Sequence, residues 1–102
     1  MRKHLATFVS IFVLLVGTVM AADGDVEYGE YLSSECVSCH LLSGEEHGIP
    51  SIIGMDEASF LALMQSYRNK ERENPTMQTI AGALDEEQLS ALANYFSTLS
   101  SE

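Results

Sequence analysis

The stretch Cys36-Val37-Ser38-Cys39-His40 places two thiols three positions apart and follows them at once with an imidazole. This order reads as a c-type haem attachment site. Two sulfurs at this spacing add to the two vinyl groups along one haem edge. The next residue then lies under the iron, where His40 supplies an imidazole nitrogen as proximal ligand. The same two cysteines would also serve a structural disulfide, a thioredoxin-like redox pair or half of a zinc site. Zinc takes about four ligands. After Cys36, Cys39 and His40, the only further histidine beyond the N-terminal segment is His47. A thioredoxin-like pair belongs in a βαβ setting with alternating strand patterns, and no segment here alternates in that way.

Toward the N-terminus, Arg2, Lys3 and His4 form a short basic start, Leu5 to Val19 is largely apolar, and small residues follow at Ala21 and Ala22. This is the layout of a secretory signal peptide, with cleavage expected between Ala21 and Ala22. The expected organisation is a signal peptide over residues 1–21 and one monohaem domain over residues 22–102. The apolar run of about fifteen residues is short for a membrane span, and an uncleaved anchor is the alternative. After cleavage no stable membrane insertion is expected. In both cases the rest of the chain leaves the cytoplasm, and a periplasmic location suits thiols that end in thioether bonds.

About eighty residues beyond the signal make one domain with a small core. A covalently held macrocycle, large, flat and mostly apolar, supplements such a core, so the haem-free chain is expected to be largely unfolded. All fifteen acidic residues lie beyond residue 21, against Arg68, Lys70 and Arg72 as the only strong bases there. Nucleic acid and anionic lipid are therefore poor partners. A basic protein partner is the electrostatic expectation, and solubility alone is the competing explanation.

The domain reads as all-α, about three helices around one haem. Asp25 is expected to cap a first helix running to about Ser34. A Gly- and Ser-rich loop follows over residues 43–54 and contains Pro50. Asp56 opens a second helix, with Phe60, Leu61, Leu63, Met64 and Tyr67 at helical spacing, which ends before Pro75. Asp85 caps the last helix with Gln88 in the capping-box position, and Leu89, Leu92, Tyr95, Phe96 and Leu99 form its apolar face.

In this order the residues resemble the small bacterial class I c-type cytochromes, from Gly29 to Leu99. Gly29 stands seven residues before Cys36, where the family has a glycine that lets the C-terminal helix cross closely. Tyr95 stands where an aromatic residue packs on that crossing. Pro50, in Gly48-Ile49-Pro50-Ser51-Ile52-Ile53-Gly54, matches the proline whose carbonyl accepts a hydrogen bond from the proximal histidine, and the resemblance places Ile52 beside the haem. Asn74-Pro75-Thr76-Met77 matches the loop that brings in the distal methionine. The segment Tyr67 to Met77 and the tail Leu84 to Leu89 look like the cytochrome subunit of flavocytochrome c sulfide dehydrogenases, and like the single-haem carriers of sulfur-oxidation systems. Lys70 stands where those relatives commonly carry glycine.

The other methionines suit the distal position less well. Met20 lies in the signal, Met55 at a loop-helix junction and Met64 on the apolar face of the second helix, where packing is the usual role. Met77 follows a helix-breaking proline in a segment able to cross the far face of the haem. His47 and an open sixth position are its competitors, and His47 otherwise reads as an exposed loop histidine. His40 and Met77 as the metal ligands leave no position for substrate, so the expectation is an electron carrier rather than an enzyme. Its implied donor is a flavoprotein sulfide dehydrogenase. A free shuttle to another redox partner is one alternative, and a haem enzyme or gas sensor with an open distal site is another. Arg68, Lys70 and Arg72 read either as a docking or propionate-neutralising cluster or as a solvated helix face.

Overall fold

The computed structural model describes residues 6, 8–14 and 21–100. Five helices, α1 (Ala21–Leu32), α2 (Ser34–Val37), α3 (Glu57–Arg68), α4 (Pro75–Gly82) and α5 (Glu86–Ser97), carry the fold, with no strand among the described residues. Of the expected signal peptide, residues 1–5, 7 and 15–20 lie outside the described residues. Phe8, Ile11, Phe12 and Leu14 are outside any helix and largely exposed. Among the described residues no helix is long and apolar enough to cross a membrane.

The all-α fold is the expected one, with the three long helices α1, α3 and α5 joined by two short ones, of which α4 occupies a segment read as loop. The first helix also begins before Asp25, which therefore sits inside α1 rather than capping it. Ala21 and Ala22 are strong helix formers and carry the helix upstream of that residue. At its other end Ser33 interrupts the helix. Its amide hydrogen is shared between the Gly29 and Glu30 carbonyls (2.9 and 3.2 Å), and its hydroxyl donates to Glu30 O at 2.6 Å. The one-turn α2 then starts and carries Cys36.

The centre of the molecule is the crossing of α1 and α5. A Cβ built on Gly29 would lie 2.6 Å from Tyr95 Cβ and nearer still to the Ala91 carbonyl oxygen, so only glycine permits this approach. Leu89, Ala91, Leu92, Ala93, Tyr95 and Phe96 of α5 are buried. Phe96 stacks on Phe60 of α3 with ring centroids 5.8 Å apart and meets Tyr95 edge-on at 5.2 Å. Met64 is buried in the same core, as its spacing suggests.

Helix ends follow local chemistry closely. Asp56 accepts from Ser59 N at 3.0 Å, and the hydrogen bonds from Ser59 hold its carboxyl below the usual carboxylate range. Asp85 and Gln88 close the expected capping box, at 2.8 and 3.0 Å. Helix α3 ends in a Schellman turn: Glu71 N donates to Ser66 O at 2.9 Å and Lys70 N to Tyr67 O at 3.0 Å. Lys70 occupies the left-handed position of that turn with φ of 59°, a backbone that glycine adopts without strain.

Candidate haem site

The attachment motif is wound as a helical turn. The Ser33 carbonyl accepts from Cys36 N and Val37 N (2.8 and 3.0 Å), and the Cys36 carbonyl accepts from Cys39 N and His40 N (3.2 and 2.8 Å). Four-residue spacing on such a turn puts Cys36 and His40 on one face. Cys36 is buried in the core and Cys39 is exposed, and both are free thiols. Burial and, to a lesser extent, the Glu35 carboxylate push the Cys36 thiol up to about 11. A thioredoxin-like pair requires the opposite shift. Among the described residues no three His, Cys, Asp or Glu side chains converge as a metal-binding group, which leaves a zinc site without its ligands.

His40 is half-buried and is oriented by the loop that follows it. Its Nδ1 lies 2.6 Å from the Pro50 carbonyl oxygen. A carbonyl only accepts, so Nδ1 carries the proton and Nε2 presents its lone pair. The loop is braced in turn by Glu46, whose carboxylate accepts from Ser51 N at 3.2 Å, one residue beyond Pro50. His47 is exposed and pairs with Glu45 at 3.0 Å.

Met77 stands on a helix and not on an extended loop. Pro75 occupies the first turn of α4, where its missing N–H costs nothing, and Asn74 is the N-cap, its side chain accepting from Met77 N at 3.0 Å. Helix α3 has already ended at the Schellman turn, and the proline starts the next helix. Met77 is half-buried and packs against the core, as do Ile52, Ile53, Ile80 and Leu84. The structure joins His40 to Pro50 directly and sets Cys36 on the same turn, whereas no hydrogen bond connects Met77 to His40. A cavity of about 390 Å³ opens beside Cys36, lined by Leu32, Ile80, Leu84 and Leu92 among others, and reaches neither axial candidate.

These features fit a haem. Nine side chains form the buried cluster, while twelve further apolar ones lie only half-buried against it, so the polypeptide's own core is unfinished by its own standards. A flat apolar ring tethered at Cys36 and Cys39 suits that surface, and His40 offers an oriented ligand nitrogen. Sequence reasoning missed Asn74 and Glu46 as supports of this site. The Asn-Pro pair carried the signal for the first, since the same two residues form an N-cap and first helical position. The Glu46 contact depends on how the loop folds back and has no local signature.

Comparison with known proteins agrees. The chain matches the cytochrome c family over residues 26–100. It is 31% identical over 88 residues to a thiosulfate dehydrogenase electron acceptor of Stutzerimonas stutzeri (strain A1501), covering 79% of this chain and 41% of that protein. It is 29% identical over 96 residues to cytochrome c-552 of Acidithiobacillus ferridurans, covering 85% of this chain and 42% of that one. The chain thus spans about four tenths of the length of these relatives. Matched over most of its length, with an all-α fold and no disulfide joining its two cysteines, it belongs to the cytochrome c family, electron-transfer proteins with covalently bound haem c, here attached through Cys36 and Cys39.

Proposed function

We propose that this cytochrome is a periplasmic carrier of single electrons, with His40 and Met77 as its axial ligands, serving the oxidation of reduced sulfur compounds. The haem supplies a one-electron ferric/ferrous couple when bound. The observation that carries the reading is the short hydrogen bond from His40 Nδ1 to Pro50 O, which holds the imidazole with Nε2 as the ligating nitrogen. Met77 supplies a soft thioether from a capped helix turn and favours the reduced state. Two protein ligands leave no position for substrate, which suits electron transfer rather than catalysis. Pro50 and Ile52 belong to the segment that faces the ring on the histidine side. Residues 1–21 act as the export signal, and residues 22–102 form the monohaem domain.

The proposed donor is a flavoprotein of the sulfide dehydrogenase type, and the acidic surface suits a partner with a basic docking face. The relative named as a thiosulfate dehydrogenase electron acceptor favours a second donor, a thiosulfate dehydrogenase. Isolation of the cytochrome from its native periplasm, with haem and flavin read in one visible spectrum, separates them. Flavin in fixed proportion to haem supports the first. Haem without flavin, with reduction by thiosulfate plus its dehydrogenase, supports the second. The ligand assignment is tested by Met77→Ala. The wild type should ignore carbon monoxide in its ferrous state and the variant should bind it; a variant that still ignores it would move the distal ligand elsewhere.

A further inference from the structure

We infer that Gln78 is a positioning residue that clamps the Met77-bearing turn to the end of α3 and so keeps the methionine on the iron; this rests on Met77 as the axial ligand. The strap between the two helices is unusually well tied for an exposed segment. Its start is the Schellman turn at Lys70, reinforced by Arg72 N donating to Ser66 O at 3.1 Å. The Arg72 guanidinium lies over the Tyr67 ring at 5.8 Å. From the far side, Gln78 Nε2 donates to the Arg72 carbonyl at 3.0 Å, closing the strap on itself. Met77 N is held by Asn74 Oδ1 at 3.0 Å and Gln78 N by Asn74 O at 2.9 Å.

Asn74 thus fixes α4 to its own cap, but it does not tie α4 to α3. Among the described residues, Gln78 makes the one side-chain hydrogen bond from α4 back to the strap. A methionine sulfur is a weak, neutral ligand, and its hold depends on how well the protein pre-places it. Release of the clamp lets the first turn of α4 move away from the ring while the helix itself stays intact. The Gln78 side chain bonds the Arg72 backbone, so its role is exerted through the backbone of its neighbour Met77.

The ferric holoprotein titrated with imidazole, a neutral competitor for the distal position, tests the inference. Binding is read by the loss of the methionine-to-iron charge-transfer band. Gln78→Ala and Gln78→Glu, which both remove the donor, should each raise imidazole affinity about three- to tenfold, the worth of one hydrogen bond. Gln78→Lys keeps a donor able to reach the carbonyl and should return the affinity close to wild type. Glutamate near a helix N-terminus stabilises the helix. A role confined to helix stability therefore predicts tighter methionine in Gln78→Glu, the opposite sign. Wild-type affinity in both donor-less variants, with the helical spectrum unchanged, would overturn the clamp while leaving the ligand reading intact. Met77→Ala titrated alongside separates the two: if it keeps the charge-transfer band, Met77 is not the ligand and the clamp falls with it.

Discussion

The α1–α5 crossing and the half of the molecule that carries His40 and Met77 are built on different principles. At the crossing, Gly29 admits Ala91 and Tyr95 to van der Waals distance, and Leu89, Leu92 and Phe96 are fully buried. Around the proposed ligands, by contrast, Ile52, Met77, Ile80 and Leu84 are only half-buried. Position there is set by discrete hydrogen bonds: Pro50 to His40, Glu46 to Ser51, Asn74 to Met77 and Gln78 to Arg72. Packing is non-directional and tolerates no empty space, so it defines a scaffold. Hydrogen bonds to exposed backbone are directional but individually weak, and they aim the side chains proposed as ligands.

Removal of the haem should break the contrast outright. The double variant Cys36→Ala, Cys39→Ala, made without attached haem, is expected to lose most of its helical circular dichroism and its cooperative melt, because a core this small has no reserve. A native-like spectrum with a sharp melt would mean that the crossing stands alone and that only the ligand half depends on the ring. Gly29→Ala probes the scaffold with the haem in place. Its Cβ would stand 2.6 Å from Tyr95 Cβ, so about 3 kcal/mol of stability should be lost in denaturant melts. A loss under about 1 kcal/mol would show that the helices separate easily.

Smaller effects sharpen the other side. Lys70→Gly should stabilise the holoprotein by about 0.5–1 kcal/mol, since it relieves a left-handed lysine at the cost of a more flexible unfolded chain. Destabilisation would mean that the lysine side chain contributes more than its backbone costs. The smallest effect is expected at the start of α3. The folded-state pKa of Asp56 is depressed by Ser59, so its contribution is complete above the unfolded carboxylate value and disappears as pH falls through the depressed one. The stability gap between wild type and Asp56→Ala should accordingly be present at neutral pH and close in acid, as measured by melts across that range.

Residues whose partners lie within one helical turn were readable in advance. Asp85 with Gln88 and Asp56 at the start of α3 both bond a residue three positions on, so local spacing carries the information. Where one residue type serves two outcomes, the reading failed. Asp25 has the chemistry of a cap, yet Ala21 and Ala22 extend the helix past it. Pro75 reads as a helix breaker, yet with Asn74 as N-cap beside it the proline begins α4, while α3 ends at Arg68. The close approach at Gly29 and the bond from His40 to Pro50 were expected only through resemblance to class I cytochromes, since no local pattern encodes either.

The sequence by itself determined the cofactor, its attachment through Cys36 and Cys39, the all-helical class and the N-caps of α3 and α5, because these follow from covalent chemistry and short-range hydrogen bonding. Only the tertiary structure decided that Met77 rides on a helix, that Lys70 adopts a left-handed backbone, and that Gln78 and Glu46 bond the backbone of the segments near Met77 and His40. Those features arise where separate segments meet, and the free energy that selects them belongs to the contact between segments rather than to either one alone.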